Sequence, residues 1–254
     1  MFGFGKKRPE LAPMEQALLR TPARHKLESI ILSSDDEAWQ PTRRLVDLAI
    51  RAASRAADIS FPDLDSRKAK ERRWYRTWPG EHYRLLAALV ADLEALNVIE
   101  IGTWTGMGTL SIASALPPGG RVVTFDIVPW NSLKRSWFRQ ADFADGRIVQ
   151  HLADVTTPEG MEPYRSLFAE ADFIFIDAPK DGVTEQNFID TLGALTLPKN
   201  PIVMFDDTRV LNMIHIWRQL KRPKLDITSF GHWSGTGLVD WNGKAGTKKS
   251  LAAE

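Results

Sequence analysis

VIEIGTWTGMGTL, Val98 to Leu110, passes from a β-branched run through three glycines into a helix-forming segment. A strand, a glycine turn and a helix in that order make the first part of a βαβ unit. Gly102, Gly106 and Gly108 allow backbone N–H groups to approach a ligand closely, and the helix that follows points its positive end at the same place. The glycines run G-x-x-x-G-x-G, whereas the dinucleotide fingerprint runs G-x-G-x-x-G, so the pyrophosphate geometry is not met. A glycine turn also serves a sheet that binds nothing, and the flanking sequence has to choose between the two.

Outward from this stretch the chain alternates. EHYRLLAALVADLEAL (Glu81 to Leu96) reads as a helix, NVIEI (Asn97 to Ile101) as a buried strand and TLSIASAL (Thr109 to Leu116) as a helix stopped by PPGG. RVVTFDIV (Arg121 to Val128), RIVQHLAD (Arg147 to Asp154), ADFIFIDA (Ala171 to Ala178) and PIVMFDD (Pro201 to Asp207) add four strands, each ending at or near an acidic residue. EQNFIDTLGALTL (Glu185 to Leu197) and RVLNMIHIWRQLKR (Arg209 to Arg222) read as helices. LDITSF (Leu225 to Phe230) and GLVDW (Gly237 to Trp241) are separated by a link too short for a parallel crossover, so they should pair as a hairpin. The expected fold is α/β: a doubly wound, mostly parallel seven-stranded sheet with an antiparallel C-terminal hairpin.

The N-terminal part reads differently. TRRLVDLAIRAASRAADI (Thr42 to Ile59) places Leu45, Leu48, Ala49, Ala52 and Ala56 on one helical face. The expected organisation is a helical extension or cap over 1–80, a ligand-binding domain over 81–243 and a polar tail over 244–254. DSRKAKERRWYR (Asp65 to Arg76) is a basic run with two aromatics, read as a solvated face or lid, with a nucleic-acid surface as the alternative.

Composition narrows the function. The 254 residues carry 33 Lys and Arg against 32 Asp and Glu, so no global field draws the chain to nucleic acid or anionic membrane, and a small-molecule partner is expected. Cysteine is absent, which removes thiol nucleophiles, disulfides and Cys-ligated metal. No apolar run is long enough to span a membrane and the start lacks a secretory pattern, so the expectation is a soluble cytoplasmic protein. The helical N-terminal region is a plausible homodimer surface.

The strand ends carry the chemistry. Asp126 ends the second strand, where a carboxylate can accept both hydroxyl protons of a ribose, and Asp154 ends the third, where it can hold a purine amino group. FIFIDAPKDG and IVMFDDT should bring Asp177, Asp206 and Asp207 into one crevice. At about 4 Å and an effective dielectric of about 20, each like-charge pair repels by roughly 4 kcal/mol, so protons or a cation should accompany them. An oxygen-only set suits Mg²⁺ or Ca²⁺, while solvated strand-end acids remain the plainer reading.

EIGTWTGMGT resembles the first motif of the class I S-adenosylmethionine-dependent methyltransferases, and within them the small-molecule O-methyltransferases related to catechol and caffeoyl-CoA enzymes. The resemblance covers about residues 80 to 242 and implies the Rossmann-like methyltransferase fold. It implies that Glu100, Gly102, Thr103, Gly106 and Gly108 surround the amino-acid end of the cofactor, that Asp126 holds the ribose, that Asp154 lies beside the adenine and that Asp177 also borders the cofactor. Asp177 and Lys180 match the metal-dependent branch's D-x-x-K, and Asp206 with Asp207 matches its Asp-Asn or Asp-Asp pair. By that resemblance Asp177, Asp206 and Asp207 hold Mg²⁺ or another divalent cation on two vicinal acceptor oxygens, Lys180 is the general base, and the oxygen attacks the sulfonium methyl in line. Asp207 stands where catechol-type enzymes have Asn, and Asp-Asp looks more like the macrocin-type sugar-methylating branch.

The resulting expectation is an S-adenosylmethionine-dependent O-methyltransferase acting on a small hydroxylated acceptor: a sugar, polyol or phenolic natural product. The alternatives are a nicotinamide-dependent oxidoreductase, opposed by the glycine spacing; a non-catalytic cofactor-binding or assembly partner of another enzyme, opposed by the intact acidic set; and a nucleic-acid methyltransferase, opposed by the charge balance and the lack of an NPPY-type motif. Trp74, Trp78, Trp104, Trp130, Trp137 and Trp233 flank the expected site and read singly as core or lid contacts. His82 and His215 read as packing or surface residues, His232 as a turn residue that could approach an acceptor, and Asp181 as structural.

Overall fold

The computed structural model describes residues 39–67, 75, 81–210 and 212–244. Trp74, Trp78, most of the basic run and nearly all of the polar tail lie outside the described residues. Helix α1 (Arg43–Ala56) begins at Thr42, whose side chain accepts from the Leu45 backbone N–H, and it buries the expected stripe of Leu45, Leu48, Ala49, Ala52 and Ala56. Then come α2 (Pro62–Arg67), α3 (His82–Asp92), β1 (Asn97–Ile101), α4 (Met107–Ala115), β2 (Arg121–Asp126) and β3 (Ile148–Leu152). The chain continues through α5 (Pro158–Met161), α6 (Arg165–Ala169), β4 (Phe173–Ile176), α7 (Thr184–Gly193), β5 (Ile202–Asp206), α8 (Met213–Gln219), β6 (Lys224–Asp226) and β7 (Thr236–Asp240).

The seven strands form one sheet in the order β3-β2-β1-β4-β5-β7-β6. β1 to β5 pair in parallel, and β7 runs antiparallel between β5 and β6. Because side chains alternate across a strand, Val98, Phe173, Phe175, Ile202 and Met204 face one core with α1, α3 and α4. Ile99, Ile174, Ile176, Val203 and Phe205 face a second core with α6, α7 and α8. Strands buried on both faces read as continuous apolar runs, which is why the sequence places them well.

The ends depart from expectation where local hydrogen bonds compete. The strand expected over Leu225 to Phe230 stops at Asp226, whose Oδ1 accepts from the Thr228 N–H, and Thr228–Phe230 is a 3₁₀ turn. The helix expected from Arg209 starts only at Met213, because Val210 and then Met213 close successive turns on the Asp207 and Val210 carbonyls. No helix among the described residues is long and apolar enough to cross a membrane.

From β1 the chain builds outward through β2 and β3, then returns to the other side of β1 with β4 and β5, so the strand order reverses between β1 and β4. In a doubly wound sheet ligands bind outside the carboxyl ends at such a reversal. The glycine turn after β1 and the Asp177 turn after β4 meet there: a Cβ on Gly102, whose φ is +97°, would overlap the Asp177 carbonyl oxygen.

Candidate active site

The glycine turn is held by the strand beside it. Asp126 Oδ2 accepts from the Thr103 and Trp104 backbone N–H groups at 3.0 Å each, and Oδ1 accepts from Val128 at 2.9 Å. Oδ1 therefore keeps a lone pair for an outside donor, while Oδ2 is committed to the turn. Thr103 turns its hydroxyl inward to Thr124 at 2.7 Å, leaving its backbone at the turn. An added Cβ at Gly106 would overlap the Phe138 ring and one at Gly108 would meet Glu100 Oε1, so Gly102 and Gly106, both at positive φ, are the two that the packed fold itself needs. Glu100 is buried beneath the turn against the Thr109 hydroxyl, and burial pushes its carboxyl up to about 8. Asp154 Oδ1 accepts from both the N–H and the hydroxyl of Thr156, a local turn that orients the carboxylate at the end of β3.

Asp177 after β4 and Asp206 and Asp207 at the end of β5 come together, with ligand-type oxygens all within 4.8 Å of one another. Lys180 folds back over them, its Nζ 2.7 Å from Asp177 Oδ1, 2.5 Å from the Ala178 carbonyl and 3.6 Å from Asp207 Oδ2. The turn that carries it is braced by buried Glu185 on α7, which accepts from the Lys180 and Gly182 N–H groups. Asp181 caps the start of α7 through the Val183 and Thr184 N–H groups, as a structural residue would.

Two histidines that the sequence reading did not assign to this cluster also belong to it. α3 runs back along the sheet into β1, so its first residue, His82, sits at the carboxyl edge with Nδ1 3.6 Å from Asp206 Oδ1. It is a buried neighbour of the carboxylates, neither a surface residue nor simple packing. Antiparallel β7 pairs Thr236 with Asp206, which returns the turn before it to the same edge. His232 Nδ1 consequently lies 3.0 Å from Asp206 Oδ1, 3.1 Å from Asp207 Oδ1 and 2.6 Å from the Ser234 hydroxyl, and that hydroxyl bonds Asp207. The only sequence signal was an acid-rich strand end facing a short antiparallel return containing a histidine. The ring positions needed the register.

The electrostatics follow. Enclosure raises the Asp177 carboxyl, with Lys180 opposing and the like charges of Asp206 and Asp207 adding to it. Burial alone would lower the Lys180 ammonium, but Asp177, Asp206 and Asp207 outweigh it and hold it well above its usual value. Against the same kind of burial penalty, hydrogen bonds to Asp206 and Asp207 raise the His232 imidazole to about 9, and the His232 bond helps bring Asp207 down to about 2. Burial lowers His82. The compensating charge expected beside the acidic triad is thus supplied by Lys180 and His232. The donor set still fits a divalent cation: three convergent carboxylates and, among the described residues, a buried His82 nitrogen without a hydrogen-bond partner.

Trp104 on the glycine turn and Trp233 beside His232 are exposed, whereas Trp137 is buried against Tyr75 and Trp130 stacks on Phe143. A cavity of about 490 Å³ lies elsewhere, between α2, the far half of α4 and the start of β3, and takes in none of the converging acids.

A family model described as O-methyltransferase matches residues 59–209. A putative caffeoyl-CoA O-methyltransferase of Arabidopsis thaliana is 33% identical over 133 residues, covering 51% of this chain and 54% of the relative. Catechol O-methyltransferase B of Danio rerio is 27% identical over 150 residues, covering 58% and 56%. The chain spans about half the length of the curated relatives it matches. Among solved structures, the SAH-bound methyltransferase PaMTH1 of Podospora anserina superposes with a TM-score of 0.51 at 17% identity, covering 80% of this chain and 98% of that one. A methyltransferase of Geobacter sulfurreducens gives 0.50 at 17%, covering 71% and 89%. Both share the fold. The matched segment holds Glu100, the glycine turn and all the converging acids, and it covers more than half of the sequence. The chain belongs to the O-methyltransferase family.

Proposed function

We propose that the chain is an S-adenosylmethionine-dependent O-methyltransferase that moves a methyl group to a hydroxyl of a small molecule, assisted by a divalent cation. One observation carries the reading: Asp177, Asp206, Asp207 and Lys180 converge at the strand-order reversal, directly beside the glycine turn. S-adenosylmethionine would supply an electrophilic methyl on a sulfonium, and the cation would supply Lewis acidity. The backbone of Gly102, Thr103, Gly106 and Gly108 borders the amino-acid end of the cofactor, above Glu100. Asp126 would offer Oδ1 to the ribose, and Asp154 would hold the adenine side. Asp177, Asp206 and Asp207 hold the cation through hard oxygens and fix an acceptor with neighbouring oxygens.

Lys180 takes the acceptor proton. The three carboxylates stabilise its ammonium form, so it becomes a base only when their charge is otherwise neutralised. Trp104 and Trp233 offer exposed ring faces for a sugar or aromatic acceptor. Asp207 in place of Asn favours sugars and polyols as the first acceptors to try.

Calorimetric titration of S-adenosylhomocysteine tests the reading, with NAD as control and with Mg²⁺ or chelator in parallel. Binding of S-adenosylhomocysteine alone, followed by methylation of a vicinal diol, is expected. If neither ligand binds under any condition, the glycine turn serves only the fold.

A further inference from the structure

We propose that His82, Asp206 and His232 form a nitrogen-containing metal site that shares Asp206 with the carboxylate set and selects a borderline transition cation, such as Zn²⁺, Co²⁺ or Ni²⁺, over Mg²⁺. The inference rests on the transferase reading, whose crevice it shares, and goes beyond it by naming a second ligand set there and the class of metal that set takes.

The first observation is an orphaned nitrogen. His82 is only 2% exposed, and its Nδ1 has no hydrogen-bond partner among the described residues, yet it points at Asp206 Oδ1 from 3.6 Å. A buried polar atom left unpaired costs about 1–3 kcal/mol, so such an atom in a native fold calls for an occupant. Imidazole binds a metal through an unprotonated nitrogen, so a cation here would displace the proton that His232 shares with Asp206 and Asp207.

The second observation is crowding around His232. Its single Nδ1 faces Asp206 Oδ1 at 3.0 Å, Asp207 Oδ1 at 3.1 Å and the Ser234 hydroxyl at 2.6 Å. One N–H makes one straight hydrogen bond, so His232 Nδ1 sits at a point where oxygens of Asp206 and Asp207 converge, as the ligands of a cation do. The spacings agree. Ligands about 2.0–2.2 Å from a tetrahedral ion stand about 3.3–3.6 Å apart, and on an octahedral ion about 3.0 Å. The two edges that join the histidines to Asp206 Oδ1, 3.0 Å from His232 and 3.6 Å from His82, match those spacings.

The choice of ion follows from ligand chemistry. Two imidazoles with carboxylate oxygen favour Zn²⁺, Co²⁺ or Ni²⁺, whereas Mg²⁺ takes oxygen and keeps its waters. Lys180 stands on the Asp177 side of the triad, its Nζ 2.7 Å from Asp177 Oδ1. The His232 turn lies beyond residue 209, where the family match ends, on the antiparallel return before β7.

The test uses the full chain, stripped with chelator and reloaded with Zn²⁺ or Co²⁺ in the presence of excess Mg²⁺. X-ray absorption of the Zn²⁺-loaded wild-type protein should show two imidazole ligands, a readout that needs no variant and no turnover. His82→Gln and His232→Asn should each weaken Co²⁺ binding at least tenfold, judged from the visible spectrum, while Asp177→Asn keeps the imidazole signature. Absence of imidazole scattering, or Co²⁺ binding equal to wild type in both histidine variants, overturns the proposal. S-adenosylhomocysteine titrations on the same samples separate the two readings. Cofactor binding without imidazole–metal contact sinks only the metal site, and the reverse sinks only the transferase.

Discussion

Lys180 and Asp207 both hold their backbone in the left-handed region, at φ 69° and 57°, as does Trp104 on the glycine turn at 43°. Non-glycine residues there cost on the order of 1–3 kcal/mol each and persist where surrounding structure holds them, which is common at functional sites. Asp177→Asn should lower cation-dependent turnover by at least about 10–100-fold, the loss typical of even outer-shell changes, with S-adenosylhomocysteine affinity nearly unchanged. Steady-state rates beside calorimetry check this, and equal turnover in the variant removes Asp177 from the metal set. Glu100 gives a pH prediction. Its folded value of about 8 lies above the ordinary 4.5, so between those values the native state keeps a proton that the unfolded chain releases. Its contribution to stability therefore falls as pH rises from about 4.5 to about 8, by on the order of 5 kcal/mol, and is flat beyond. Glu100→Gln should remove that share of the fall and leave the part from His232, which is lost between about pH 6.5 and 9; urea midpoints at about pH 5 and pH 8.5 that move in parallel for both proteins would contradict it. Gly102→Ala should lower the melting temperature even without cofactor, because the added Cβ meets the Asp177 carbonyl. An unchanged melting temperature with lost cofactor binding would instead mean that the glycine clears space only for the ligand.

At the scale of elements, two chain directions build the site. α3 starts at the carboxyl edge because it must run back into β1, and β7 starts there because it is antiparallel to β5. The N-terminal helix α1 is tied to the same body: Thr42 donates to Asp240 Oδ2 at 2.6 Å, Arg44 pairs with Asp240 Oδ1 at 3.1 Å, and Leu45 and Leu48 join the core that holds α3. Leu45→Ala should cost about 2–5 kcal/mol by leaving a cavity. Chemical denaturation should show that loss in one cooperative transition of the whole domain; a separate early transition would mean that α1 folds independently.

For the whole molecule, cofactor binding should appear as stabilisation. S-adenosylhomocysteine at about 100 times its dissociation constant should add about 2.7 kcal/mol, or roughly 5–10 °C for a chain of this size. Thermal scans over a ligand series test this, and a flat series argues against binding to the native state. The near-balanced charge predicts that the affinity for a small neutral acceptor changes little with salt.

The strands, the glycine turn and the acid-bearing strand ends were legible because they are written locally: apolar runs between turn residues, and a motif whose members lie within a few positions. The sequence by itself determined a doubly wound sheet and the meeting of Asp177, Lys180, Asp206 and Asp207 at the carboxyl ends of β4 and β5. The tertiary structure decided which nitrogens meet those acids. His82 and His232 are 150 positions apart, and each looks ordinary in its own helix or turn. Only the reversal of α3 into β1 and the antiparallel register of β7 on β5 bring their nitrogens to Asp206. Such a meeting depends on which strands pair and in which direction, and that is settled by burying two apolar faces at once rather than by any local run of residues.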